Sequence, residues 1–173
     1  SQPEIKQMCN EQSKNLYKKN IDSLIKSKVY ENLKIEEIAT ILDIEDRQRD
    51  VIHSDYLSEK IQSVLVKDGK ISSEGKSEIQ ELCNLLSISD EQQIEAIMKQ
   101  TRPLYSDDLY NFFTKEKDVE NSAQLILSKQ KEYFLTEDCA IEEYFNASGK
   151  AINYFIENLF NNSKNLREID NIT

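Results

Sequence analysis

The residues Asp68-Gly69-Lys70-Ile71-Ser72 form the segment whose composition comes nearest to a metal-binding loop. In a calcium-binding EF-hand loop the central glycine is position 6, and oxygen ligands are required at positions 1, 3 and 12. With Gly69 at position 6, those positions fall on Val64, Val66 and Gly75, none of which has a side-chain oxygen. The segment is therefore interpreted as a corner between two helices, and no metal-binding residue is predicted.

His53 is the only histidine, and no serine or cysteine between glycines marks a nucleophile that it could activate. Three isolated glycines also leave no glycine-rich phosphate loop. Carboxylates occur as adjacent pairs, and adjacent side chains of a helix point in different directions, so acid–base pairs and dimetal sites are not expected from Glu36–Glu37, Asp107–Asp108 or Glu142–Glu143. We predict no catalytic residue, no cofactor-binding residue and no cofactor, and we expect the protein not to be an enzyme.

The segment from Ile35 to Ile44 is similar to the first half of a helix-turn-helix or winged-helix unit. A DNA-reading unit needs basic or amide side chains in the helix that follows. Arg47 and Arg49 occur there, but Glu45 and Asp46 offset them. The net charge of −10 also repels phosphate backbones. Nucleic acid is therefore not expected as a partner, whereas a winged-helix-like module that binds protein remains an alternative.

Apolar residues recur at helical spacing along the 173 residues, and three glycines with two prolines are too few for the turns of a sheet protein. The predicted fold is all-α, a multi-helix bundle or a short helical-repeat array of about eight or nine helices. Two of the helix breaks are expected at Pro103 and near Gly149. Residues 4–104 are expected to form a duplicated helical-repeat region, and residues 105–173 to form aromatic-rich helices packed on it in one compact unit.

Two connections between helices have specific end signals. Gly69 is expected to take a left-handed conformation that ends one helix, and Ser72 or Ser73 to cap the next. Ser89 and Gln92 match a capping box, which predicts a helix from Asp90. A weak internal duplication, which chance matching of amphipathic helices could also produce, aligns at an offset of 44 the apolar residues Ile38, Ile41, Leu42 and Ile44 with Leu82, Leu85, Leu86 and Ile88.

The three cysteines, Cys9, Cys83 and Cys139, lie far apart within apolar helical patterns. They are expected to be buried side chains in a reducing intracellular compartment rather than a disulfide framework or a zinc site. No apolar run reaches the roughly 20 residues that span a bilayer, so contact with a membrane is expected only through segments outside this chain. Tyrosine and phenylalanine are concentrated after residue 104. Most of them should be core, and a surplus at the surface would mark a protein-binding groove.

Three segments combine a tyrosine-led helix, an Asp-Gly corner and a leucine-rich helix before an apolar capping step: Tyr56-Leu57-Ser58-Glu59-Lys60-Ile61, Lys67-Asp68-Gly69-Lys70-Ile71-Ser72 and Leu82-Cys83-Asn84-Leu85-Leu86-Ser87-Ile88. This pattern resembles the helical repeats of the large scaffold protein of the plastid inner-envelope import translocon. More loosely, it is similar to TerB-like helical domains, which place an Asp-Gly-x-Ile-Ser corner between helices. The resemblance covers about Leu16 to Leu104.

The plastid family implies a non-enzymatic helical scaffold that faces the stroma at the inner envelope and takes part in protein transport. Its protein partners would be unfolded or transit peptides, or a chaperone-like component. Outside a plastid, a cytoplasmic location is expected. The TerB-like family implies instead a regulatory module of the stress response, in some members binding metal through acidic residues.

Overall fold

The computed structural model describes residues 2–28, 32–115 and 122–170. Within these ranges all regular structure is α-helical, which confirms the predicted all-α class. The helices are α1 (Gln2–Ser27), α2 (Asn32–Ile41), α3 (Asp46–Asp68), α4 (Ser73–Leu86), α5 (Asp90–Lys115), α6 (Ser122–Glu132) and α7 (Glu137–Asp170). The chain divides within α5 into two compact units, unit 1 (Ser1–Ile97) and unit 2 (Met98–Thr173).

The described residues form seven helices rather than eight or nine, because two expected breaks are absent. Pro103 lies inside α5, and Gly149 lies inside α7. A proline removes one backbone hydrogen bond and crowds the preceding turn. Here the helix is fixed on either side of Pro103 by two fully buried residues, Thr101 and Tyr105, and the Thr101 hydroxyl donates to the Tyr133 carbonyl at 2.7 Å. Tertiary packing therefore stabilises α5 as one helix that continues past Pro103.

Gly149 is exposed, and a Cβ atom at this position would meet no other atom within 4 Å. Alanine favours a helix over glycine by about 1 kcal/mol. We therefore expect Gly149→Ala to raise the free energy of unfolding of unit 2 by about 0.5–1 kcal/mol, measured by urea denaturation with far-UV circular dichroism. A loss of stability would show that α7 needs the glycine for a close approach of another segment.

The helices of unit 1 share one apolar core. It joins side chains from α1, α2, α3 and α4 with Ile44, which lies in the connection between α2 and α3. Its buried members are Tyr17, Ile21, Ile35, Ala39, Ile44, Ile52, Leu82, Leu85 and Leu86. Several other large apolar residues of unit 1 are exposed, among them Leu16, Ile41 and Val51. The prediction that all cysteines are buried is also wrong, because Cys9 is exposed while Cys83 is buried and Cys139 is half-buried.

The predicted end signals are confirmed. Gly69 has φ 68° and donates to the Leu65 carbonyl at 2.8 Å, and the Ser72 hydroxyl accepts from the Gly75 amide at 3.1 Å. Ile71, between them, is buried. In the capping box the Ser89 amide donates to Gln92 Oε1 at 3.0 Å, and the Gln92 amide donates to Ser89 Oγ at 3.3 Å.

Three further helix ends have the same geometry. In each, a non-glycine residue with positive φ lies just after the helix, which is α2, α4 or α6. The residue that follows it is apolar, and its backbone amide donates a hydrogen bond to the carbonyl five positions earlier. These bonds satisfy carbonyls that the end of a helix leaves free. The amides and their acceptors are Ile44 to Ala39 at 2.9 Å, Ile88 to Cys83 at 2.9 Å and Leu135 to Gln130 at 3.2 Å. The first two corners are the positions that the sequence aligns at an offset of 44, and the third lies in unit 2.

Unit 2 is built on the second half of α5, with α6 and α7 against it. Its buried cluster consists of Tyr105, Leu109, Tyr133, Leu135, Ala140 and Ala147. Asp108 on α5 accepts hydrogen bonds at one carboxylate oxygen from Lys129 Nζ at 2.6 Å and from the Tyr133 hydroxyl at 2.8 Å. Burial and this carboxylate raise the pKa of Tyr133, so its hydroxyl stays a donor. The contacts fix the end of α6 against α5.

Candidate functional site

His53 lies in the core of unit 1 with 6% of its surface exposed. Its Nε2 atom is 2.7 Å from the Tyr17 hydroxyl, and the two rings are stacked with centroids 5.9 Å apart. The ring also hydrogen-bonds the backbone of Leu86 at the end of α4. A neutral imidazole offers one donor and one acceptor nitrogen, and these two partners use one each. The histidine therefore connects α1, α3 and α4.

Burial, with the nearby charge of Arg49, lowers the pKa of His53 to about 4. Burial also raises the pKa of Tyr17 to about 12. A general acid or base works best with a pKa near the operating pH, and both groups lie far from neutrality. The contacts of His53 are those of a structural residue that joins helices.

The acidic groups considered in the sequence have different surroundings. The Ser72 hydroxyl donates to Asp68 Oδ2 at 2.6 Å at the corner between α3 and α4. Glu36 and Glu37 are both exposed. Within residues 2–28, 32–115 and 122–170, no group of three or more histidine, cysteine or acidic side chains is placed to hold a metal ion.

One adjacent acidic pair, Glu142 and Glu143, shares a basic partner. Arg102 on α5 donates from Nε to Glu143 at 2.5 Å and lies 3.1 Å from Glu142 through its Nη2 atom. Glu143 is buried, which by itself opposes ionisation, but hydrogen bonds from Arg102, Ser106 and Asn146 outweigh this effect and lower the pKa of Glu143. The carboxylate thus stays charged and fixes the rotation of α7 against α5.

The inward face of α7 is made of small residues around this carboxylate. Ala140, Glu143, Ala147 and Ala151 are all buried, and they recur at the spacing of one helical face. Two aromatic contacts brace an edge of the helix: Phe113 with Tyr144, with centroids 5.3 Å apart, and Tyr110 with Tyr154, at 6.3 Å. Alanine side chains allow α7 to approach closely, so its large apolar residues lie elsewhere.

Those large residues form an exposed apolar band, which we call the α7 stripe. Its six members are each between 44% and 69% exposed, and they are Ile141, Phe145, Ile152, Phe155, Ile156 and Leu159. At about 100° per residue they fall within about 50° on either side of one line along the helix. Scattered exposed apolar residues are normal, whereas an aligned band of six large apolar side chains on one helix is unusual.

The expectation that most of the aromatic residues after position 104 are core is wrong for α7. Five of its aromatic residues are exposed, namely Tyr144, Phe145, Tyr154, Phe155 and Phe160. This is the surface surplus that the sequence associates with protein binding. The signal available beforehand was the spacing of Ala140, Ala147 and Ala151, which selects a different face of the helix for the core.

Comparison with known proteins gives no matching family model, no matching curated protein and no matching solved structure. Among the described helices, none combines the length and apolar character that crossing a bilayer requires. Helix α7 is amphipathic along the α7 stripe, because Lys150 and Glu157 lie in the same stretch of the helix.

Proposed function

We propose that this chain is a non-enzymatic scaffold or adaptor that binds other proteins through the α7 stripe. The observation that carries the proposal is the stripe itself, six large exposed apolar side chains on a helix that packs into unit 2 through Ala140, Ala147 and Ala151. Burial of apolar surface is the main favourable term in protein association. Phenylalanine and tyrosine contribute large contact areas at low entropic cost, which suits a binding surface.

In its narrower form, the proposal is that the scaffold serves protein import into an organelle of the plastid type. The support is the resemblance of the segments between Tyr56 and Ile88 to the translocon repeats. Partners would then be unfolded or transit peptides or a chaperone-like component. The location would be the stromal face of the inner envelope, with attachment to the membrane through segments outside this chain. In its broader form, the proposal is a protein-binding role in a reducing intracellular compartment.

The test is site-specific photo-crosslinking in an extract of the source organism. The photoreactive residue p-benzoylphenylalanine replaces Phe155 in one variant and Val66 in a control, because Val66 is an apolar residue of α3 in unit 1 that is 81% exposed. We expect discrete adducts from position 155 and none of these from position 66. Excess wild-type chain should compete for the adducts, whereas excess Phe155→Ala/Leu159→Ala chain should not.

Mass spectrometry of the adducts then separates the two forms of the proposal. Translocon components, chaperones or transit peptides would support the narrower form, and other proteins only the broader one. The scaffold proposal is overturned if both positions give the same adducts, or if the stripe variant competes as well as the wild-type chain.

A further inference from the structure

The dimensions of the α7 stripe match those of one partner helix. From Ile141 to Leu159 the helix rises about 27 Å, which is about five turns. The stripe presents apolar side chains on every turn except that of Ser148 and Gly149, and Ile141, Phe145, Ile152 and Leu159 lie nearly in line. A second helix whose apolar residues recur three and four apart can pack along such a row at a shallow crossing angle.

The charged residues of α7 are unevenly placed around the stripe. Glu137 and Asp138 are exposed and, by helical angle, border its N-terminal end. Lys150 is the only basic residue between positions 137 and 161, and it lies nine positions after Ile141, about 180° away around the helix. Glu142, about 100° from the centre of the stripe, is already paired with Arg102. The N-terminal end of the stripe is therefore bordered by acidic residues, whereas Lys150 and Glu157 both face away from the stripe.

The charge of the whole chain points to the same class of partner. A net charge of −10 attracts cationic molecules and opposes the approach of a second copy of this chain. Charged groups at the edge of an apolar interface mainly set the association rate and exclude wrong partners. Lysine and arginine beside an apolar face would meet Glu137 and Asp138 at this edge.

We infer that the α7 stripe is the docking surface for a cationic amphipathic helix of about five turns. The apolar face of that helix packs along Phe145, Ile152, Phe155 and Leu159, and its lysine or arginine side chains lie beside Glu137 and Asp138. This inference rests on the proposed protein-binding function and adds the chemical class of the partner.

Isothermal titration calorimetry of the full chain tests the inference with three synthetic peptides of about 20 residues. The first is helical with a leucine face flanked by lysine and arginine. The second replaces the basic residues with glutamate. The third has the composition of the first, but its leucines are spread evenly around the helix. We expect micromolar binding of the first peptide, at least about tenfold tighter than either of the others.

Three variants, each compared with the wild-type chain, separate the apolar and the charged contributions to binding. Phe155→Ala/Leu159→Ala should weaken binding of the cationic peptide by about tenfold or more, as expected when two large apolar contacts of an interface are removed. Glu137→Gln/Asp138→Asn should weaken it by about threefold, and this difference should vanish at high salt. The control Ile41→Ala/Val66→Ala removes apolar groups that are more exposed still, 80% and 81%, from α2 and α3, and binding should be unchanged. All substituted side chains are exposed, so far-UV circular dichroism should match the wild type.

The opposing outcomes are distinct. Equal binding of the first and third peptides would mean attraction by charge alone, and tight binding of the glutamate peptide would mean the wrong partner charge; either overturns the inference. A third opposing outcome is that the wild-type chain forms a dimer in sedimentation equilibrium and the Phe155→Ala/Leu159→Ala chain does not. That result would identify a second copy of the chain as the occupant of the stripe, and it also overturns the inference. If photo-crosslinks from position 155 remain specific in these cases, the scaffold proposal stands and only the partner class is wrong. If the crosslinks also fail, both are wrong.

Discussion

Acidification from about pH 6.5 to about pH 4 should lower the free energy of unfolding of unit 1 by about 3 kcal/mol through His53 alone. The folded chain holds this histidine neutral, with a pKa lowered to about 4, whereas an exposed histidine titrates near 6.5. Between these two pH values the unfolded chain binds a proton that the folded chain does not. Stability is therefore complete above about pH 6.5 and is lost as the pH falls, and below about pH 4 this contribution no longer changes.

Urea denaturation followed by far-UV circular dichroism at a series of pH values measures this dependence, and two variants isolate its cause. His53→Gln keeps a donor for Leu86 and an acceptor for Tyr17 but does not titrate, so most of the slope in this pH range should disappear. Tyr17→Phe removes the 2.7 Å hydrogen bond and leaves the histidine buried. It should cost about 1–2 kcal/mol at neutral pH and keep the slope. An unchanged slope in His53→Gln would show that other groups cause the acid sensitivity.

Gly75→Ala should destabilise unit 1 by about 2 kcal/mol, although alanine is ordinarily the better residue in a helix. A Cβ atom on Gly75 would lie 2.3 Å from Val64 Cγ1 and 3.3 Å from Ser72 Oγ. Val64 is β-branched and only 3% exposed, so moving its side chain aside costs free energy. The third residue of α4 must therefore be glycine for α3 and α4 to pack this closely.

A double-mutant cycle with Val64→Ala checks the cause of this loss. Removal of the Val64 methyl groups should cost about 2 kcal/mol alone, and in that background Gly75→Ala should become neutral or stabilising, a coupling of about 2 kcal/mol or more. Gly149→Ala is the matched control, because the same substitution in open space should have the opposite sign. Simple additivity of Gly75→Ala and Val64→Ala would refute the predicted contact.

The parts of the fold that local chemistry determines could be predicted. Few glycines, few prolines and apolar residues at helical spacing lead to an all-α chain, and the caps at Gly69, Ser72 and Ser89 follow from their side chains and backbone preferences. The corners at Asp43, Ser87 and Phe134 were less predictable, because each puts a non-glycine residue in the left-handed region. The apolar residue after each corner, which is buried or half-buried, compensates for that cost.

The course of α5 and α7 depends on tertiary contacts that spacing alone does not reveal. Pro103 and Gly149 are ordinary helix-breaking signals, and only the buried residues around Pro103 and the open space at Gly149 explain why the helices continue. The face of α7 that turns inward was also misjudged, because large apolar residues outnumber the alanines. Arg102 helps to set which face of α7 turns inward, because it binds Glu143. These two residues are 41 positions apart, so no local sequence pattern contains the pair.

Methyl NMR of the full chain tests the role of the α7 stripe most directly. The δ1-methyl signals of Ile141, Ile152 and Ile156 report on the stripe, those of Ile61 and Ile79 on the core, and that of Ile41 on an exposed position elsewhere. Addition of a protein partner identified by crosslinking should shift or broaden the three stripe signals and leave the other three unchanged. Shifts at Ile41, or a bound state in which the three stripe signals stay as they are in the free chain, would contradict the account.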